Sequence, residues 1–348
     1  MTTPAACSLL DSKFRTWSGR CGRFLLVTSL LAGCAAAPSG EGRAFDLQAH
    51  RGGRGLAPEN TLAAFSQALE IGVSTLELDI GVTADGVVVI SHDTALNPDH
   101  TRDDRGAWLP AAGPAVRTLT LAQLQRYDVG RINAASSYGK QFASQRPRDG
   151  ERIPTLAQLF EHVRERRGAD QVQFNIETKI DPTQPDETVP PETMVRALLA
   201  EIERAGTAQR VTIQSFDWRT LALVGRLAPQ LPRAYLTSAR TLKDSRWTAG
   251  LRAQDFGSAP QLVKAAAGAG PGSGPLIWSP AAGELTPALL QEARSLGLRV
   301  LPWTVNQRAD MARLIDWGVD GLISDYPDVL REQMRSRGLP LPPALPPR

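Results

Sequence analysis

The stretch Thr75-Leu76-Glu77-Leu78-Asp79-Ile80-Gly81-Val82-Thr83-Ala84-Asp85-Gly86-Val87-Val88-Val89-Ile90-Ser91 decides how this 348-residue chain is built. It holds two strand-like runs, Thr75–Ile80 and Val87–Ser91, with only Gly81–Gly86 between them. That spacer is too short for the crossover helix that parallel neighbours need. Everywhere else short apolar runs alternate with amphipathic stretches, the pattern of a parallel α/β fold. Further strands are expected at Phe45–Ala49, Val172–Ile176, Val211–Gln214, Ala234–Thr237, Leu276–Ser279, Val300–Val305 and Gly321–Ser324. Helices fit at Asn60–Ile71, Thr155–Arg167, Glu192–Ala205, Trp218–Leu227, Thr286–Leu296 and Ala309–Trp317. Asn60 reads as the first N-cap and Gly72 as the stop. Nine strands are one too many for the eight-stranded closure natural at this length. The surplus run lies in 75–91, so the sequence predicts a TIM-type (β/α)8 barrel distorted near that point.

The barrel is expected over 45–332. It is interrupted at about 99–151 by a small inserted subdomain with one helix-like piece, Thr120–Tyr127. Ala265–Pro275, rich in Gly and Pro, reads as a loop. Residues 333–348 read as a Pro-rich tail, disordered from Gly338 onward. No internal repeat is visible.

The formal charge of +3 overstates the basic character. The first 33 residues carry Lys13, Arg15, Arg20 and Arg23 against Asp11, which leaves 35 basic and 35 acidic residues for the rest. That balance argues against a nucleic-acid partner. Arg164, Arg166 and Arg167 read as a solvated helix face among Glu161 and Glu165. Cys7, Cys21 and Cys34 are the three cysteines. Nothing after Cys34 can form a disulfide, ligate a metal through sulfur or act as a thiol nucleophile.

Arg20 and Arg23 precede the short apolar run Phe24–Ala32, the layout of a secretory signal peptide over 1–33. The run ends Leu31-Ala32-Gly33-Cys34, which resembles the bacterial lipobox. The resemblance implies lipidation at Cys34, a tether over 34–44, and export to a membrane-anchored position. Residue 35 is Ala rather than Asp. By the sorting rule of such lipoproteins, this implies the periplasmic face of the outer membrane.

Two of the four histidines, His50 and His92, directly follow strand-like runs. In a parallel barrel the C-terminal strand ends build the active site. Glu77 and Asp79 alternate along one strand and share a face, with Leu76, Leu78 and Ile80 on the other. Glu177 and Lys179 repeat that spacing after Val172–Ile176. Three carboxylates inside a barrel need compensation, and a hard divalent cation with oxygen ligands supplies it. Spacing alone leaves a second possibility, that Glu77 and Asp79 are edge residues or arginine partners. A lone histidine is more often structural than catalytic.

The ordered motifs go further. His50-Arg51-Gly52, Pro58-Glu59-Asn60-Thr61, Glu77-Leu78-Asp79, Thr83-Ala84-Asp85-Gly86 and Ser91-His92-Asp93 are followed by Glu177-Thr178-Lys179, Gln214-Ser215-Phe216 and Trp303-Thr304-Val305-Asn306. The series closes with Gly321-Leu322-Ile323-Ser324-Asp325-Tyr326-Pro327. This series resembles the glycerophosphodiester phosphodiesterase family from Asp46 to Leu330. The resemblance implies a distorted barrel with an insertion. It also implies hydrolysis of small glycerophosphodiesters to glycerol 3-phosphate and an alcohol. It assigns Ca²⁺ or Mg²⁺ to Glu77, Asp79 and Glu177, and acid–base chemistry to His50 and His92. Arg51 and Lys179 fall at phosphate-binding positions, and Phe216 and Trp303 at pocket walls. Leu96–Arg102 departs from the family's Arg-Thr-Thr-like segment, which leaves the alcohol open. His100 in that segment reads as a loop-stabilising residue and His162 as exposed. Two other readings share these motifs: phospholipase-D-like cleavage of intact lipids, and a binding lipoprotein that retains an inactive barrel.

Overall fold

The computed structural model describes residues 44–268 and 274–347. The expected signal segment, Cys34, and all of the tether but Ala44 lie outside the described residues. Strands β1 (Asp46–Ala49), β2 (Thr75–Val82), β3 (Val88–Ile90), β4 (Gln173–Thr178), β5 (Val211–Ser215), β6 (Arg233–Thr237), β7 (Leu276–Pro280), β8 (Arg299–Val300) and β9 (Gly321–Ser324) form one sheet. Its path is β8-β7-β6-β5-β4-β2-β1-β9, parallel throughout. Asp320 N to Val300 O, Ile323 N to Pro302 O and Val305 N to Ile323 O close the ring at 3.1, 3.1 and 2.9 Å. The surplus strand is β3. It folds back antiparallel on β2, with Ile80 opposite Ile90 and Val82 opposite Val88. This hairpin returns the chain to the rim, where Ser91 N donates to Asp79 O at 2.9 Å.

The helices, in chain order, are α1 (Leu62–Ile71), α2 (Leu121–Leu124), α3 (Ser137–Gln141), α4 (Leu156–Arg164), α5 (Pro191–Ala205), α6 (Trp218–Leu227), α7 (Ala259–Ala267), α8 (Pro287–Ser295), α9 (Arg308–Trp317) and α10 (Pro327–Ser336). Helices α2 and α3 belong to segment 91–153, α4 follows that segment and packs on β3, and each remaining helix follows a parallel strand. Their buried faces join Leu76, Leu78, Ile80, Phe174, Ile176 and Leu322 in one apolar core. Segment 91–153 carries α2 and α3. It has a small core of its own from Leu96, Val116, Leu124, Val129 and Ile153, shared with Val89 of β3.

Several local expectations are corrected. The cap of α1 is Thr61, whose hydroxyl accepts from Ala64 N at 3.2 Å. Asn60 instead takes a left-handed φ of 57° and turns its amide to Asp79. The expected strand 300–305 pairs regularly only at its start, because Pro302 has no N–H to offer a ladder. Helix α7 occupies the first part of the expected loop Ala265–Pro275. It was hidden by its few large apolar residues and is capped by Ser258. Arg166 lies beyond α4 and is largely covered, with its guanidinium on Leu345 O at 3.2 Å. His162 is half-buried and bonds Ser66 Oγ at 2.7 Å.

The Pro-rich tail also departs from expectation. Residues 339–347 dock across α1 and α10. Leu345 is buried, and its N–H donates to Leu69 O at 2.8 Å. Arg331 clamps the carbonyls of Gly72 and Pro342 at 2.6 and 2.7 Å. Five prolines lower the entropy lost when this segment is fixed, which offsets its lack of secondary structure.

Candidate active site

Each predicted catalytic, metal and substrate residue reaches the same end of the barrel. β1 delivers His50 and Arg51 into a tight turn, where Arg51 adopts φ 52°. That turn aims the Arg51 backbone N–H at Glu77 Oε2, 2.8 Å away. β2 points Glu77 and Asp79 inward while Leu76, Leu78 and Ile80 pack outward. β4 brings Glu177 level with Asp79, and Lys179 directly follows its last residue. One oxygen from each of Glu77, Asp79 and Glu177 lies within 4.8 Å of the others, and all three are buried.

The electrostatics of this cluster are unbalanced. Burial and the charge of Asp79 push Glu77 well above the ordinary carboxylate range. Burial also pushes Glu177 up to about 7, against the pull of Lys179 at 2.7 Å. Burial would raise Asp79 as well, but His92, Lys179 and Arg51 hold it down. Asp79 Oδ1 has no hydrogen-bond partner; Lys179 Nζ lies 3.7 Å from it, and Arg51 Nε lies 3.5 Å from Oδ2. An all-oxygen cluster with surplus negative charge and an unsatisfied oxygen fits a hard divalent cation.

The two histidines are each oriented by a carboxylate. His50 Nδ1 meets Asp325 Oδ1 at 2.6 Å, just past β9. Asp325 is buried and also accepts from Arg54 Nε and Asn306 Nδ2, each at 2.7 Å. His92 Nδ1 meets Asp93 Oδ1 at 2.9 Å. Asp93 also takes Asn97 Nδ2 at 2.7 Å and faces His100 Nε2 at 3.3 Å. Each imidazole thereby commits Nδ1 and leaves Nε2 for chemistry. Burial lowers both rings, His92 to about 4 with help from Arg51 and Lys179. Arg51 Nη1 is held by Glu59 Oε1 at 2.7 Å. Burial would raise Glu59, but Arg51, His100 and Arg54 bring it to about 2. Tyr138, from the inserted segment, also donates to Glu59.

Two connected chambers open above this floor. The inner one, about 430 Å³, is lined by His50, Arg51, Glu77, His92, Glu177 and Lys179, with Phe216 and Trp303 as walls. The outer one, about 900 Å³, shares His92, Lys179, Phe216 and Trp303 and adds Asp181, Glu187, Arg240 and Trp247. Phe216 packs edge-on against Trp303 with ring centres 5.2 Å apart. Sequence reasoning gave no role to Asp325, Glu59, Gln214, Asn306 or Trp247. Asp325 directly follows a strand, the same signal that marked His50. The partner of a charge is not visible until the ring closes.

Comparisons with known proteins agree with this arrangement. Residues 50–329 match the Glycerophosphoryl diester phosphodiesterase family. The glycerophosphodiester phosphodiesterase of Caldanaerobacter subterraneus subsp. tengcongensis is 30% identical over 290 residues, covering 83% of this chain and 98% of that protein. The Bacillus subtilis enzyme of the same name is 32% identical over 291 residues, covering 82% and 84%. A crystal structure of a family relative from Silicibacter pomeroyi is 35% identical, with a TM-score of 0.76 over 86% of this chain and 96% of that one. An Oleispira antarctica phosphodiesterase, solved with the product sn-glycerol-3-phosphate, shares the fold at 23% identity and a TM-score of 0.60, covering 84% and 97%. The chain is thus an enzyme of the phosphodiesterase class built on a (β/α)8 barrel. It belongs to the glycerophosphodiester phosphodiesterase family.

Proposed function

We propose that this protein hydrolyses small glycerophosphodiesters to glycerol 3-phosphate and an alcohol, with a divalent cation at Glu77, Asp79 and Glu177 and with His50 and His92 as acid–base pair. The observation that carries this reading is that one chamber is lined at once by both histidines, by Glu77 and Glu177, and by Arg51 and Lys179.

A phosphodiester is anionic and repels nucleophiles. Arg51 and Lys179 attract its non-bridging oxygens and hold the phosphorus between the two imidazoles. When bound, Ca²⁺ or Mg²⁺ supplies further neutralisation of the charge that develops on those oxygens. One histidine takes the proton of the attacking hydroxyl through Nε2. The other gives a proton to the departing alkoxide, a poor leaving group without it. If the attacking group is the glycerol 2-hydroxyl, the new P–O bond closes a cyclic phosphate. Water then opens that ring, and the histidines exchange roles. Asp325 and Asp93 stabilise whichever ring carries the extra proton. Phe216 and Trp303 exclude water beside the phosphate, and the outer chamber receives the alcohol.

The test is a coupled assay for glycerol 3-phosphate with glycerophosphocholine as substrate. Chelation should stop release, and added Ca²⁺ or Mg²⁺ should restore it. Undiminished release after exhaustive chelation overturns the cation assignment. Absence of release from folded protein with either metal overturns the substrate assignment. Cleavage of intact lipids calls for an apolar surface at the mouth. Among the described residues the exposed large hydrophobic is Leu227, at the end of α6, which gives that reading no support.

We also propose export and lipid anchoring at Cys34, supported by Leu31-Ala32-Gly33-Cys34 after a short apolar run. Among the described residues no helix is long and apolar enough to cross a membrane. Cys34→Ser should move the protein from the membrane fraction to the soluble one, and an unchanged distribution overturns the anchor.

A further inference from the structure

The middle of a (β/α)8 barrel is normally filled by branched apolar side chains. Here a chain of amides crosses it. Asn175 on β4 points inward between Gln48 on β1 and Gln214 on β5, and all three are buried. Gln48 Nε2 donates to Asp46 Oδ2 at 2.8 Å. Asn175 Nδ2 donates both to Gln48 Oε1 and to Gln214 Oε1, each at 2.8 Å. Gln214 Nε2 then donates to Glu77 Oε1 at 2.6 Å.

The amides in this chain run in a consistent direction. Each glutamine turns its NH₂ toward a carboxyl oxygen, which accepts it. Its oxygen then faces Asn175, which must answer with NH₂ on both sides. The arrangement leaves Asn175 Oδ1 without a hydrogen-bond partner. A buried orphan carbonyl is costly, so a function that needs the two donors explains its presence.

We propose that Asn175 is a positioning residue for the cation site: by locking the Gln214 amide it fixes Glu77 in the orientation that binds a divalent cation. This rests on the reading that Glu77, Asp79 and Glu177 hold such a cation. With Arg51 N on Oε2 and Gln214 on Oε1, both oxygens of Glu77 carry an N–H. Without Asn175, the Gln214 amide is free to reverse and set its own oxygen against Glu77.

The experiment is calorimetric titration of the full chain with Ca²⁺ and, separately, Mg²⁺ after removal of bound metal. Asn175→Leu and the isosteric Asn175→Asp should each weaken the better-bound cation by about 10–100-fold, the usual scale for partners that orient metal ligands. Gln48→Leu, which spares the Gln214 link, should stay within about threefold by the same scale. Gln214→Leu should reproduce the loss, and adding Asn175→Leu to it should cost nothing more, as for two residues acting through one contact. Unfolding midpoints in chelator are measured alongside. A lowered midpoint with an unchanged Kd would mean a purely structural residue and overturn the proposal. Unchanged Kd in both Asn175 variants does the same while leaving the cation reading intact. A wild-type protein that binds neither cation overturns the cation reading first, and this inference with it. If Asn175→Leu does not fold, Asn175→Asp and Gln214→Leu decide.

Discussion

The two histidines line one chamber and are held in different ways. His50 is fixed by Asp325, a residue 275 positions away, which Arg54 and Asn306 also grip. Its ring is buried in the wall where the first and last strands meet. His92 is fixed by its own neighbour, Asp93, on a half-buried loop that opens the inserted segment. Asp93 is steadied in turn by Asn97 and His100 from that same loop. One imidazole is thus placed by closure of the barrel and the other by a local turn. A group placed by closure has little room to move, whereas a group placed by a loop can follow a substrate in and out.

The comparison breaks most directly at the imidazoles themselves. His50→Ala and His92→Ala should each lower kcat by roughly 10²–10⁴-fold, measured by glycerol 3-phosphate release. Full activity in either single variant removes that residue from the pair. The next effect separates the two carboxylates. Asp325→Asn should lower kcat by about 10–100-fold, the range for partners that orient a functional imidazole. It should also lower the unfolding midpoint, because Arg54 is left buried beside a neutral amide. Asp93→Asn should cost less in stability than in kcat, since its surroundings are more open. Equal losses of stability would erase the distinction drawn above. His100→Leu should change kcat by less than about tenfold, one hydrogen bond's worth, because Asn97 still holds Asp93.

Acid offers the gentlest test. Glu59 ties the two sides together, bonded to Arg51 of the His50 turn and facing His92 and His100. Burial would raise it, but Arg51 above all brings it from an ordinary 4.5 to about 2. A depressed folded value contributes stability above 4.5 that is lost as pH falls toward 2. Circular dichroism should show that loss in the wild-type protein. In Arg51→Met it should begin at higher pH, because burial then acts on Glu59 without its main opposing charge. An unchanged acid midpoint would show that Arg51 does not hold Glu59 down.

Much of this was legible in the residues. Alternation of Glu77 and Asp79 with Leu76, Leu78 and Ile80 gave a strand with one charged and one apolar face, and the structure has it. The short spacer Gly81–Gly86 located the extra antiparallel strand. Asp325 was quoted within a motif but given no role, because only ring closure sets it against His50. Asn175 looked like one polar residue in an apolar strand; its use depends on amides from two other strands. Helix α7 was missed because Ala-rich segments carry a weak apolar period. The tail was misread because its prolines signal disorder when nothing nearby can receive them, and the groove beside α1 exists only after folding.

That last feature reaches into the order of synthesis. Leu345 N pairs with Leu69 O, and β9 pairs with β1, so α1 and β1 are completed by residues made long after them. Contacts of such long sequence separation form late and slow folding. Until Asp325 and Leu345 have emerged from the ribosome, His50 lacks its carboxylate and α1 keeps an uncovered edge. A chain cut short before Leu345 would therefore keep every motif from His50 to Pro327 and leave α1 uncovered.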